Sequence, residues 1–150
     1  MPSLTDVIGQ MKYSNKYGVQ KKLCVITGTS SGLGKKTAKT LSKNGDWHVI
    51  CAVRDVEKME LVVQEEDMDP NNLTIMPLDL QSFDSVRDFS KKLIEFKAGK
   101  PIDRLVCNAA VYQPSLNYAK YTPDGIEQQM QTNFLSHFLL SSLLVNYITY

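Results

Sequence analysis

The sequence predicts a doubly wound α/β fold, a parallel sheet with helices on both faces. Three observations predict it. Short, nearly continuous apolar runs such as LCVIT at 23–27 and WHVICAV at 47–53 read as strands covered on both sides. Each run is followed by a segment whose apolar residues recur every three or four positions, as an amphipathic helix requires. The two patterns alternate along the whole chain, which implies parallel strands joined by helical crossovers in the order 3-2-1-4.

The first unit, KLCVITGTSSGLGKKTAKTLSKNG, gives a strand from Leu23 to Thr27, a Gly/Ser loop, and a helix from about Leu33 to Lys43 that stops near Gly45. WHVICAVRD is the second strand, and VEKMELVVQEE follows with helical spacing at Val56, Met59 and Val63, Asp55 standing as its N-cap. LTIMPLDL is the third strand. A helix from Ser82 carries Phe83, Val86, Phe89, Leu93 and Phe96 on one face. IDRLVCNAA is the fourth strand, leading into the loop VYQPSLNYAKY. Thr122 as N-cap and Pro123 at the first helical position mark the start of the last helix, because proline lacks the N–H that a helix start cannot use. That helix runs toward the end of the chain with Phe134, Phe138, Leu144 and Val145 among its expected core residues.

With 150 residues, 43% hydrophobic and 22% charged, the composition is that of one folded domain. The expected division is a polar leader over 1–21 and a nucleotide-binding domain over 22–150. Lys and Arg total 17 against 16 Asp and Glu, so no broad electrostatic footprint for nucleic acid exists. The three cysteines, Cys24, Cys51 and Cys107, form no CxxC pair or His cluster, and neither a disulfide framework nor a metal site is expected. The first 21 residues have no signal-peptide core and lack the character of a transit peptide. The terminal run NFLSHFLLSSLLVNYITY is interrupted by Asn133, Ser136, His137, Ser141, Ser142 and Asn146, whereas a span needs roughly 20 predominantly apolar residues. It reads as a core helix, which leaves peripheral membrane association open.

In a doubly wound sheet ligands lie outside the carboxyl ends of the strands. The first strand ends in Thr27-Gly28-Thr29-Ser30-Ser31-Gly32-Leu33-Gly34. Glycines let a backbone turn sharply and approach a pyrophosphate, whose charge then meets the N–H groups and positive dipole end of the next helix. The second exit offers Arg54 and, one helical turn on, Lys58, which could converge on the 2'-phosphate of NADP. Lys35 and Lys36, in the first turn after the loop, add to the same preference. At the third exit Asp79 suits the adenine amino group and Leu80 the ring, although helix capping would explain Asp79 equally well. The fourth exit, Cys107-Asn108-Ala109-Ala110-Val111-Tyr112, puts small residues where a nicotinamide ribose needs close approach; Cys107 also reads as a buried strand residue.

Thr-Gly-x-x-x-Gly-x-Gly at 27–34, Asp79, Asn108-Ala109-Ala110 and Asn133 resemble the short-chain dehydrogenase/reductase family in order and spacing. Within it, WHVICAVRDVEK, LDLQSFDSVRDF, LVCNAAVYQP and TNFLSHFLL resemble the light-dependent protochlorophyllide oxidoreductases. The resemblance covers Lys22 to Val145 and implies a Rossmann-like, NADPH-binding enzyme of chlorophyll biosynthesis in the chloroplast. Its activity would be light-driven hydride transfer to the C17–C18 double bond of protochlorophyllide, completed by a tyrosine-derived proton. It also implies that Thr27, Gly28, Ser30, Ser31, Gly32, Leu33, Gly34, Arg54, Lys58, Asp79, Leu80, Asn108, Ala109 and Ala110 serve the cofactor, that Asn133 supports the proton relay, and that Tyr112 borders the pigment. Two departures stand out. Cys-Asn-Ala-Ala replaces the common Asn-Asn-Ala-Gly, and Ser136 replaces a glycine often found in the last helix, which puts its packing on the sheet in question.

The family's catalytic Ser and Tyr-x-x-x-Lys fall beyond residue 150, so the chain is expected to be a fold cut after the fourth strand and its helix, and inactive alone. Tyr17 to Lys21 matches that spacing but precedes the first strand and reads as coincidence. Two rivals remain: a dark NADP-dependent reductase of retinoid- or steroid-like substrates, and a non-catalytic nucleotide-binding module.

Overall fold

The computed structural model describes residues 20–115 and 117–149. Of the polar leader only Gln20 and Lys21 fall within them, so the Tyr17 match lies outside the described residues. Four strands, β1 (Lys22–Thr27), β2 (Trp47–Val53), β3 (Leu73–Pro77) and β4 (Arg104–Val106), form one parallel sheet in the expected order β3-β2-β1-β4. Three crossover helices join them: α1 (Gly32–Ser42), α2 (Val56–Glu65) and α3 (Phe83–Lys97).

Side chains of a strand alternate between faces, and the core divides accordingly. Val25, Ile50 and Ala52 pack with Val86, Phe89 and Leu93 of α3 and with Leu140 and Leu144. Cys24, Ile26, Val49, Cys51 and Val53 pack with Ala38 of α1 and with Met59 and Val62 of α2. Each fully buried aliphatic or aromatic side chain contributes about 1.5–3 kcal/mol relative to exposure. Burial on both faces is why the strands read as continuous apolar runs. β3 and β4 are shorter than their apolar segments. Past Pro77 the Leu78 N–H still reaches Val53 O at 2.8 Å, but regular pairing stops.

The last helix departs from expectation at its start. Thr122-Pro123-Asp124-Gly125 is a tight turn, in which the Gly125 N–H reaches Thr122 O at 2.9 Å and Gly125 has φ +76°. Proline at the second and glycine at the fourth position suit such a turn as well as they suit a helix start. The helix begins instead behind Glu127, whose carboxylate accepts the N–H groups of Gln129 and Met130. An α turn (Gln128–Met130), a π segment (Gln131–Leu135), an α-helix (Ser136–Leu144) and a 3₁₀ turn (Val145–Tyr147) follow one another as α4.

Its buried face is also corrected. Thr132, Ser136, Leu140 and Leu144 are buried at four-residue intervals, whereas Phe134, Phe138 and Val145 are exposed. A shift of two residues turns a helix by about 200°, so the two phenylalanines point away from the sheet. Their rings lie 6.4 Å apart on that outer face. The buried face carries the smaller, more polar residues. Ser136, the departure from glycine, fits because its hydroxyl donates to Leu80 O at 2.6 Å. Beyond α4, Ile148 pairs in parallel with Ile102, ahead of β4. The chain just ahead of β4 is therefore paired at Ile102. No helix among the described residues is long and apolar enough to cross a membrane.

Candidate functional site

The carboxyl ends of the four strands open into one cleft of about 420 Å³, within the roughly 300–1,000 Å³ common for ligand sites. It includes the point where the strand order reverses, between β1 and β4. The loop after β1 forms one wall through Gly28, Ser30, Ser31, Gly32 and Leu33. Ser31 stands at the N-cap of α1 without a side-chain cap bond, and no acidic residue occupies the first turn. By contrast α2 is capped by Asp55, which accepts the Lys58 N–H at 2.9 Å, and α3 by Ser82, which accepts the Ser85 N–H at 3.2 Å. The start of α1 therefore presents its N–H groups and positive dipole end without an internal anion.

The loop's other residues serve its underside. Gly28 has φ +73°, and a Cβ there would lie 2.8 Å from the Ala109 Cβ. A Cβ on Gly34 would lie 2.3 Å from Gly28 O and 2.5 Å from Asn108 Nδ2. Thr27 is fully buried, and its Oγ1 accepts the N–H groups of Asn108 and Ala109, both at 3.0 Å. The Asn108 amide donates to Thr27 O at 3.0 Å and to Gly28 O at 3.2 Å. Thr27 and Gly34 thus clamp the first loop to the fourth and do not line the cleft.

At the second exit Arg54 lines the cleft, exposed and with no ion-pair partner among the described residues. Lys58 is exposed on the next turn and is not part of the cleft wall. Lys35 is engaged elsewhere: its Nζ lies 2.5 Å from Glu66, which Lys39 also reaches at 2.8 Å. Those hydrogen bonds, Lys35 first and then Lys39, hold the Glu66 carboxyl at about 2. Position relative to the dipole does not therefore assign Lys35 to a bound anion.

At the third exit Asp79 and Leu80 line the cleft with Gln81. Ser82, not Asp79, caps α3. One Asp79 oxygen accepts the Gln81 N–H at 2.9 Å, and the other has no partner among the described residues. At the fourth exit Asn108, Ala109, Ala110 and Val111 complete the wall. Tyr112 is 83% exposed and outside it. Cys107, which read as a buried strand residue, is exposed just past β4; Cys24 and Cys51 are buried, and burial pushes their thiols up to about 11 and about 12.

Asn133 sits in the π segment, where the Ser136 N–H bonds back to Gln131 O. Its side chain accepts the Val111 N–H and donates to Val111 O, both at 2.8 Å, and so ties α4 to the loop after β4. Sequence reasoning missed Thr132, which lines the cleft beside Gln81 and Val111 and whose enclosed hydroxyl has no hydrogen-bond partner among the described residues. It also missed His137, buried beneath Thr27. Neither position stands in a glycine loop or at a strand exit, the only signals available.

Residues 22–149 match the short chain dehydrogenase family profile. The chain is 46% identical over 145 residues to a protein named chloroplastic protochlorophyllide reductase from Daucus carota, with 97% of this chain and 35% of that protein aligned. A relative of the same name from Cucumis sativus is 48% identical over 130 residues, covering 87% of this chain and 32% of its own. The chain thus spans about a third of the length of the curated relatives it matches. Among solved structures, a metagenomic short-chain oxidoreductase in complex with NADP superposes with TM-score 0.70 at 25% identity, over 84% of this chain and 56% of the other. NADPH-bound carbonyl reductase from chicken fatty liver gives 0.66 at 22%, over 86% and 52%, a likeness of fold.

Proposed function

The chain belongs to the short-chain dehydrogenase family, and we propose that it is the cofactor-binding portion of a chloroplast protochlorophyllide reductase driven by NADPH and light. The observation that carries this reading is 41–48% identity, across most of the chain, to relatives of that name. The geometry supports the cofactor assignment. The uncapped start of α1 suits a pyrophosphate, and the close packing of Gly28 and Gly34 keeps the loop flat enough for one to approach. Arg54 would pair with the 2'-phosphate, with Lys58 reaching from the next turn. The free oxygen of Asp79 would accept the adenine amino group while Leu80 packs the ring. Asn108, Ala109 and Ala110 would floor the nicotinamide ribose.

NADPH supplies the hydride in this chemistry. The residues of this chain hold, orient and shield: Asn133, bonded twice to Val111, would keep the loop at 111 and Tyr112 in place beside the pigment and support the proton relay.

Joining residues 1–150 to the remaining portion of the Daucus carota relative tests the reading. Chlorophyllide formation, followed by absorbance, is expected only with NADPH and the lamp on. Equal turnover in darkness would overturn it in favour of a dark reductase. Failure of the 150-residue chain to bind NADPH would overturn the cofactor assignment.

A further inference from the structure

The hydroxyl of Thr27 is the junction of three elements. It accepts the N–H groups of Asn108 and Ala109 from the loop after β4, both at 3.0 Å, and lies 2.8 Å from His137 Nε2 on α4. A hydroxyl has two acceptor sites and one proton. The two amides fill both acceptor sites, so the proton points to His137, and Nε2 must be the bare nitrogen. The imidazole proton is then on Nδ1, on the side of the Asn133 carbonyl, 3.4 Å away. A doubly protonated ring would face Thr27 with an N–H that has no acceptor left. Burial, ahead of the opposing pull of that carbonyl, pushes the His137 pKa down, in keeping with a neutral ring.

We infer that His137 is a positioning residue of the cofactor cleft: it orients the Thr27 hydroxyl to hold the Asn108–Ala109 floor and ties that floor to the helical turn bearing Asn133. This rests on the cofactor reading above. The linkage closes on itself, because Asn133 is bonded twice to Val111, three residues beyond Asn108. Thr27, His137, Asn133 and Val111 thus form a ring of hydrogen bonds around the fourth exit. Within that ring the imidazole accepts from the Thr27 hydroxyl through Nε2 and turns its Nδ1–H toward the Asn133 carbonyl, so it joins the end of β1 to the helical turn that bears Asn133.

The test uses the 150-residue chain labelled with ¹⁵N-histidine. His48 is the other histidine of the sequence, so the signal missing from His137→Gln identifies His137. Long-range ¹H–¹⁵N spectra should show the Nδ1–H tautomer with Nε2 unprotonated; an Nε2–H tautomer would overturn the assignment whether or not NADPH binds. In NADPH titrations His137→Gln, whose carbonyl can accept from Thr27, should stay within about twofold of the parent. His137→Leu, with similar bulk and no acceptor, should bind about tenfold more weakly, ~1.4 kcal/mol. Unchanged affinity in the leucine variant, or equal losses in both, would overturn the positioning role. A parent chain that does not bind NADPH counts against the proposed function, while the tautomer still decides the place of His137.

Discussion

Replacing Gly34 by alanine puts the clamp between the first and fourth loops to a direct test. In a helix alanine is normally better than glycine by about 1 kcal/mol, and Gly34 has no left-handed backbone to oppose the change. The surroundings reverse the sign. The new Cβ would stand 2.3 Å from Gly28 O and 2.5 Å from Asn108 Nδ2, far inside van der Waals contact. Neither neighbour can yield freely. Gly28 O belongs to the turn, and Asn108 Nδ2 donates to both Thr27 O and Gly28 O. Overpacking costs about 1–3 kcal/mol, and the two hydrogen bonds about 1 kcal/mol each if they break. A net loss of about 2–4 kcal/mol follows, with NADPH affinity falling at least tenfold as the loop is pushed toward its ligand side. Urea unfolding and NADPH titration of Gly34→Ala measure both, with Gly45→Ala, where a Cβ meets nothing within 4 Å, as the control. A Gly34→Ala chain as stable as the parent and binding NADPH equally well would refute the clamp.

Arg54→Ala should weaken NADPH about tenfold or more, since charge-assisted hydrogen bonds contribute roughly 1.5–3 kcal/mol, and leave NADH nearly unchanged; equal losses in the two titrations would remove Arg54 from the 2'-phosphate. Thr132→Val should raise the stability of the ligand-free chain by up to about 1 kcal/mol, because it deletes an enclosed hydroxyl without a partner, and a lower urea midpoint would show that the hydroxyl is satisfied. Glu66 has a folded pKa of about 2 against an ordinary 4.5, so its contribution is complete above about pH 4.5 and is lost as pH falls toward 2. Urea midpoints of Glu66→Gln should therefore fall below the parent at pH 6 and converge with it near pH 2; a gap that persists there would refute the ion-pair origin.

How much was legible follows from what each signal reports. The sheet was legible because strands buried on both faces must be apolar throughout, and WHVICAV has no other comfortable place. The order β3-β2-β1-β4 came with it, since short crossovers leave few alternatives. The start of α4 was not legible, because Thr-Pro-Asp-Gly satisfies a tight turn and a helix cap alike, and only the pairing of Tyr121 with Glu127 across it selects the turn. Its buried face was misjudged for a related reason. Hydrophobicity ranks Phe134 and Phe138 above Ser136 and His137, but the helix turns inward the side chains that the backbone of Leu80 and the hydroxyl of Thr27 can satisfy. The half-buried Lys35 shows the same limit in electrostatics, since a cation at a helix start looks destined for a ligand until Glu66, 31 residues away, claims it.

The glycine loop is where sequence and structure differ most usefully. Its spacing reads as a single ligand signal, yet its residues face two ways. Ser30, Ser31 and Gly32 border the cleft, while Thr27 and Gly34 are buried against Asn108 and Ala109, with Gly28 in contact on both sides. The first and third glycines are fixed by the approach of the fourth loop, and the second, with φ +56° and nothing within 4 Å of a Cβ, by its own backbone and the open cleft. The motif at 27–34 and the Asn-Ala-Ala at 108–110 are therefore one structural unit split across the chain. A substitution at Ala109 should disturb the first loop as surely as one at Gly28, and the pair Gly28 and Ala109 is expected to show coupled, non-additive losses of NADPH affinity.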